Sequence, residues 1–194
     1  VPIFVAPHSA DVWSNPGLFD LGDDLRPRVV VEIGTARGGM LYCFSQLAAP
    51  DATLVSIDLP GAPNCGGQTA VERDVFATFG PATQRFHFIP DDSHLPASKQ
   101  RLLDILGGRK ADLIFIDGDH SFEGCMADFR MYGDLVDPDG LVAFHDICLF
   151  PEQWPGTGVG VGSAEPASKP TRKPGQSAGH QIPACASSSA RERS

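Results

Sequence analysis

The chain has 194 residues, 42% of them hydrophobic, which is enough to bury one ordinary core and suggests one domain. Its formal charge of −9 is uneven, because residues 151–194 hold five Lys/Arg against three Asp/Glu and residues 1–150 carry all of the acidic excess. An acidic body argues against a nucleic-acid surface or a membrane partner, and no apolar run approaches the ~18 residues of a transmembrane span.

Residues 1–28 are poorly periodic and read as a lead-in. They begin Val-Pro-Ile-Phe, without the charged start of a secretion signal and without Met, which suggests a processed chain or a fragment. The first strong element is the apolar run Val29–Ile33, a buried parallel strand. It leads through a glycine-bearing turn, Gly34 to Gly39, into a helix over 38–48. A second strand at 53–57 ends on Asp58, and a Pro/Gly-rich loop precedes a helix over 69–79. A third strand at 85–89 runs into Pro90-Asp91-Asp92-Ser93-His94, followed by a helix over 97–107. A fourth, 112–116, ends on Asp117-Gly118-Asp119-His120. Ser121 then caps a helix reaching Leu135. Asp137-Pro138-Asp139-Gly140 reads as a plain turn, with Pro presetting φ and Gly accepting a positive one. The fifth strand, 141–144, ends on His145-Asp146. From Pro151 the chain becomes rich in Gly, Ser, Ala and Pro, so 151–194 reads as linker and disordered tail.

Strands alternating with helices require parallel crossovers, hence an α/β, doubly wound, Rossmann-like sheet over residues 29–150. Each predicted strand finishes in polar, mostly acidic residues: Glu32, Asp58, Asp92, Asp117 and Asp146. One such acid is ordinary where a strand enters a turn. Five along one sheet edge, beneath a glycine turn, point to a ligand crevice. The spacing Gly34, Ala36, Gly38 is not the G-x-G-x-x-G of a dinucleotide site, which disfavours NAD. The five cysteines are scattered and lack any C-x-x-C pair, as in a cytoplasmic protein with reduced thiols.

The chain resembles the class I S-adenosylmethionine-dependent methyltransferases. It looks most like the family 24 methyltransferase domain, and more loosely the metal-dependent sugar and antibiotic O-methyltransferases. The likeness rests on Val31-Glu32-Ile33-Gly34-Thr35 with Gly38-Gly39, on Ser56-Ile57-Asp58 and on Asp92-Ser93-His94. It is strongest in Phe115-Ile116-Asp117-Gly118-Asp119-His120-Ser121-Phe122-Glu123 with Gly140-Leu141-Val142-Ala143-Phe144-His145-Asp146. The resemblance implies S-adenosylmethionine as cofactor, its amino-acid end held by Glu32, Gly34, Thr35, Gly38 and Gly39. Asp58 would then take the ribose hydroxyls, and Asp92 with Ser93 the adenine edge. A small-molecule acceptor is expected.

Asp117, His145 and Asp146 stand at the ends of adjacent strands and are candidate ligands of a divalent metal. A cation there would lower the pKa of a substrate hydroxyl, with Asp119 or His120 as the base. Metal-dependent relatives carry an acid where this chain has His145. Magnesium is therefore joined by softer ions such as manganese or zinc, and a backbone-bonded strand-end histidine is the competing reading. A calcium loop over 117–128 fails on Phe122 and Asp128, which stand where glycine and glutamate belong.

The methyltransferase sheet normally continues past its fifth strand with a helix and an antiparallel hairpin. The polar tail supplies neither, so the sheet is expected to be cut short there. It would leave an open apolar edge suited to aggregation or a homodimer. A truncated, non-catalytic remnant that binds cofactor or a partner is accordingly the alternative to an enzyme, and an Asp117-based phosphatase is a third reading.

Overall fold

The strands form where residues can be buried on both faces. All of β2 (Val29–Ile33) and all of β3 (Thr53–Asp58) are buried, and five of the six residues of β5 (Ala111–Ile116) are. The computed structural model describes residues 3–5, 26–61 and 68–145. Around those strands lie β1 (Ile3–Val5), α1 (Gly39–Leu47), α2 (Ala70–Phe76), β4 (Arg85–Pro90), α3 (Pro96–Leu106), α4 (Phe122–Tyr132) and β6 (Val136–Phe144). A single 3-10 turn, Gly133–Leu135, joins α4 to β6.

One six-stranded sheet results, in the order β1-β6-β5-β2-β3-β4, with every neighbouring pair parallel. Alternation along the strands divides the core between its two faces. Val30, Leu54, Leu113 and Phe115 pack with Leu41 and Phe44 of α1 and Phe76 of α2. Val31, Val55, Ile57 and Ile114 pack on the opposite side with Leu102 and Leu106 of α3 and Tyr132 of α4. The doubly wound expectation therefore holds. Helix starts follow local chemistry: the Thr69 side chain accepts from the amide of Glu72, and that of Ser121 from the amide of Gly124.

Two expectations are corrected. The lead-in is part of the sheet, since Ile3, Phe4 and Val5 pair with Val142, Ala143 and Phe144. That parallel strand covers the outer edge of β6 that the sequence left open, and the argument for a homodimer through that edge goes with it. A three-residue strand paired so far along the chain has no periodicity of its own to reveal it. Second, residues 137–140 are no independent turn. They bulge within β6, which advances from Val136 to Leu141 while β5 advances from Ala111 to Leu113. Gly140 is needed there for close approach, not for a positive φ: a Cβ would stand 2.9 Å from the carbonyl oxygens of Ala111 and Asp112. The expected disordered tail lies outside the described residues, as does Asp146.

Candidate active site

The chain lays β2, β3 and β4 outward in one direction and then returns to place β5 on the other side of β2. In open parallel sheets ligands bind at such a reversal, outside the carboxyl ends of the adjacent strands, here β2 and β5. Register brings the predicted residues to it. Ile33 pairs with Ile116, and Ile116 with Phe144. The next residues, Gly34, Asp117 and His145, extend the ladder one step: their amides donate to the carbonyls of Ile57, Ile33 and Ile116 at 2.9, 2.8 and 3.1 Å.

On the β2 side the polar groups are enclosed and bonded to one another. Glu32 is 1% exposed and its Oε2 accepts from the Thr35 hydroxyl at 2.7 Å. Thr35 Oγ1 lies 2.5 Å from Ser56 Oγ, which also accepts from the Gln68 amide. Glu32 Oε1 has no hydrogen-bond partner among the described residues. Burial pushes the Glu32 carboxyl up to about 8; the Thr35 bond opposes the shift, and the charges of Asp117 and Asp58 add to it. Asp58 Oδ2 accepts the amide of Ala36 at 2.8 Å, holding that residue at φ 46. Burial raises the Asp58 carboxyl as well, against the pull of backbone amides.

The turn between these groups can only be glycine at its tightest points. Gly34 has φ +84, and a Cβ there would stand 2.1 Å from the carbonyl oxygen of Asp117. Gly38, at φ +79, caps α1 with its missing side chain facing the Phe76 ring. The same closeness shows that the β2 and β5 loops touch. Gly39 opens α1.

On the β5 side two imidazoles converge on one carboxylate. Asp117 Oδ1 lies 3.0 Å from His145 Nδ1 and 3.3 Å from His120 Nε2. Asp119 is engaged differently. Its Oδ1 accepts the amide of Ser121 at 2.9 Å, and its carboxylate lies over the bare α-carbon of Gly124. Asp117 and His145, 3.0 Å apart, form a His–carboxylate pair at the ends of β5 and β6. No group of three or more His, Cys, Asp or Glu able to hold a metal occurs among the described residues, and Asp146 lies outside them.

Asp92 and Ser93 sit in the turn after β4. Asp92 Oδ1 accepts the amide of His94 at 2.8 Å, and the Ser93 carbonyl accepts from the Tyr132 hydroxyl at 2.5 Å. Sequence reasoning missed three members of these clusters. Ser56 was signalled, in retrospect, by its register opposite Glu32. Asp128 was signalled by being an acid on the apolar stripe of α4, shared with Cys125 and Tyr132. Gln68 carries no local signal.

Residues 31–147 match the family model described as a methyltransferase domain. The chain belongs to the methyltransferase domain family. Over 155 residues it is 31% identical to the uncharacterized protein y4gI of Sinorhizobium fredii, a match covering 75% of this chain and 16% of that one. MycE, a methyltransferase of the mycinamycin biosynthetic pathway solved with Mg and SAH, superposes with a TM-score of 0.57 at 19% identity, over 87% of this chain and 46% of MycE. The O-methyltransferase TomG of Streptomyces achromogenes, solved with SAM, superposes at 0.49 and 19% identity, over 69% of this chain and 55% of TomG. At such identities the likeness to the solved structures is one of fold, the class I methyltransferase fold. This member of the family spans a small part of y4gI and under half of MycE.

Proposed function

We propose that the chain binds S-adenosylmethionine in the β2–β5 crevice and transfers its methyl group to an oxygen of a small molecule. One observation carries this reading: a buried acid, Glu32, keeps an oxygen without an internal hydrogen bond beneath a glycine turn at the switch point. An ammonium donor is what such a carboxylate lacks, and the cofactor's amino-acid end supplies one. Gly34, Thr35, Gly38 and Gly39 line the approach. Asp58 orders the Ala36 amide with one oxygen and offers acceptor capacity to the ribose diol, and the turn carrying Asp92 and Ser93 meets the adenine. MycE, of like fold, was solved with Mg and SAH, which supports a cofactor of this class.

At the β5–β6 ends, Asp117 and His145, with Asp146, are the residues to hold a divalent cation such as magnesium or manganese. When bound, it would lower the pKa of the acceptor hydroxyl. The geometry favours His120 over Asp119 as the base. Asp117 stands behind the His120 imidazole and would stabilise it once protonated, whereas Asp119 is committed to its own turn. Cys43 and Cys125 are free and buried, which supports a reducing, cytoplasmic setting, and no helix among the described residues is long and apolar enough to cross a membrane.

Calorimetric titration with S-adenosylmethionine and with NAD tests the reading. Binding of the first alone is expected; binding of NAD alone, or of neither, would overturn it. Methyl transfer abolished by chelator and restored by added divalent ion is expected of the metal assignment, and transfer indifferent to chelator removes it.

A further inference from the structure

The turn after β4 is held from behind by groups that methyl transfer leaves without a task. Asp128 lies on α4 with no exposed surface. His94 sets Nε2 3.4 Å from Asp128 Oδ1 and 3.2 Å from the carbonyl oxygen of Gly124. Its Nδ1 faces Asp92 Oδ1 at 3.7 Å, so the imidazole stands between a buried carboxylate and one on the site's rim. Both Asp128 oxygens are buried and make no hydrogen bond among the described residues, so the His94 ring beside Oδ1 is the ion-pair partner found there. One turn along α4 the Tyr132 hydroxyl holds the Ser93 carbonyl, and from α3 the Ser98 hydroxyl holds that of Asp92 at 2.7 Å.

A carboxylate shut away from water is costly, and an apolar side chain would fill the same space without that cost. Asp128 pairs with no Lys or Arg among the described residues; the His94 ring is its partner, and Ser93 lies close by. Its contacts therefore bear on the placement of residues 92–94. With Oδ1 of Asp92 already taken by the His94 amide, the rest of that carboxylate's acceptor capacity is aimed by the same turn.

We propose that Asp128 and His94 are positioning residues that hold Asp92 and Ser93 against the purine of the cofactor, and so select a 6-amino purine over a 6-oxo purine. The proposal rests on the cofactor reading above. A 6-amino group donates to a carboxylate, whereas a 6-oxo group presents a second acceptor and is repelled. Discrimination of this kind depends on a well-fixed acceptor, which is what a buried brace supplies.

The test is the ratio of affinities for S-adenosylhomocysteine and its deaminated counterpart, S-inosylhomocysteine, by calorimetry on the full chain. The wild type is expected to prefer the adenosyl ligand. Asp128→Asn and His94→Gln are expected to narrow that preference by about tenfold, the scale of one well-placed hydrogen bond. A purely structural brace would weaken both ligands alike, so an unchanged ratio in the variants overturns the proposal while leaving the cofactor reading standing. A wild type that binds neither ligand overturns both. Should Asp128→Asn fail to fold, His94→Gln, at a partly exposed position, decides by the same ratio.

Discussion

The two loops that meet at the switch point are built in opposite ways. Around β2 and β3, Glu32, Thr35 and Ser56 are all buried, and their side chains join through bonds of 2.5 to 2.7 Å. Around β5 and β6, Asp117 and His120 are partly open to solvent and touch at 3.3 Å. The first loop is largely bonded to itself, with Glu32 Oε1 left unbonded among the described residues; the second is more open. On the proposed reading such a site would separate affinity from chemistry: fixed acceptors would bind the cofactor at low ordering cost, and a looser trio would adjust around the acceptor.

Breaking the open side should have the largest effect. His120→Gln is expected to lower turnover by roughly 10²–10⁴-fold, as loss of a general base does. Asp119→Asn should cost only about 1 kcal/mol of stability, through the Ser121 amide. Single-turnover rates compare the two, and the reverse order would move the base to Asp119. On the closed side, Gly34→Ala places a Cβ 2.1 Å from a carbonyl oxygen at φ +84. A loss of about 3–4 kcal/mol in urea denaturation is expected, and a wild-type midpoint would show that the loops do not touch as described.

Asp58→Ala removes the bond to the Ala36 amide as well as the proposed diol acceptor. Cofactor affinity should fall by about 1.5–3 kcal/mol with the sheet intact, the range of hydrogen bonds to a charged group; titration calorimetry with an unaltered constant would remove the ribose role. A pH profile sharpens the comparison. The Glu32 carboxyl holds its proton up to about pH 8 when folded, against an ordinary value of 4.5. The folded state therefore binds that proton more tightly, and the stability gained is full below 4.5 and lost as pH rises toward 8. Glu32→Gln should flatten that decline in denaturation midpoints. A cationic ligand reverses the sign, so binding should release a proton and strengthen over the same window; affinity flat with pH would separate Glu32 from the ligand.

Much of this was legible. Val29–Val31 and Leu113–Ile116 are continuous apolar runs that only a sheet covered on both faces can use, and the acids that follow them, Glu32 and Asp117, are placed by topology. What stayed hidden depends on tertiary placement. Ile3–Val5 is too short to show a period. Asp137 to Gly140 has turn chemistry but is carried as a bulge because β5 lies alongside. Asp119 and His120 read as equals in sequence, and only the α4 start, with its bare Gly124, turns one away from the carboxylate that faces the other.

The pairing of Ile3–Val5 with Val142–Phe144 has a consequence for how the protein comes to exist. These partners lie about 140 residues apart, and closing so long a loop carries an entropy that grows only as the logarithm of its length, about 0.6 kcal/mol per doubling. The equilibrium cost is thus small, but the order of events is fixed. Ile3–Val5 leaves the ribosome before any of its partners and has no neighbour until β6 has been made and laid against β5. Contacts of such sequence separation form slowly. The strand of this sheet synthesised first is among the last to find its place, and until then the flank of β6 stands open to whatever strand reaches it first.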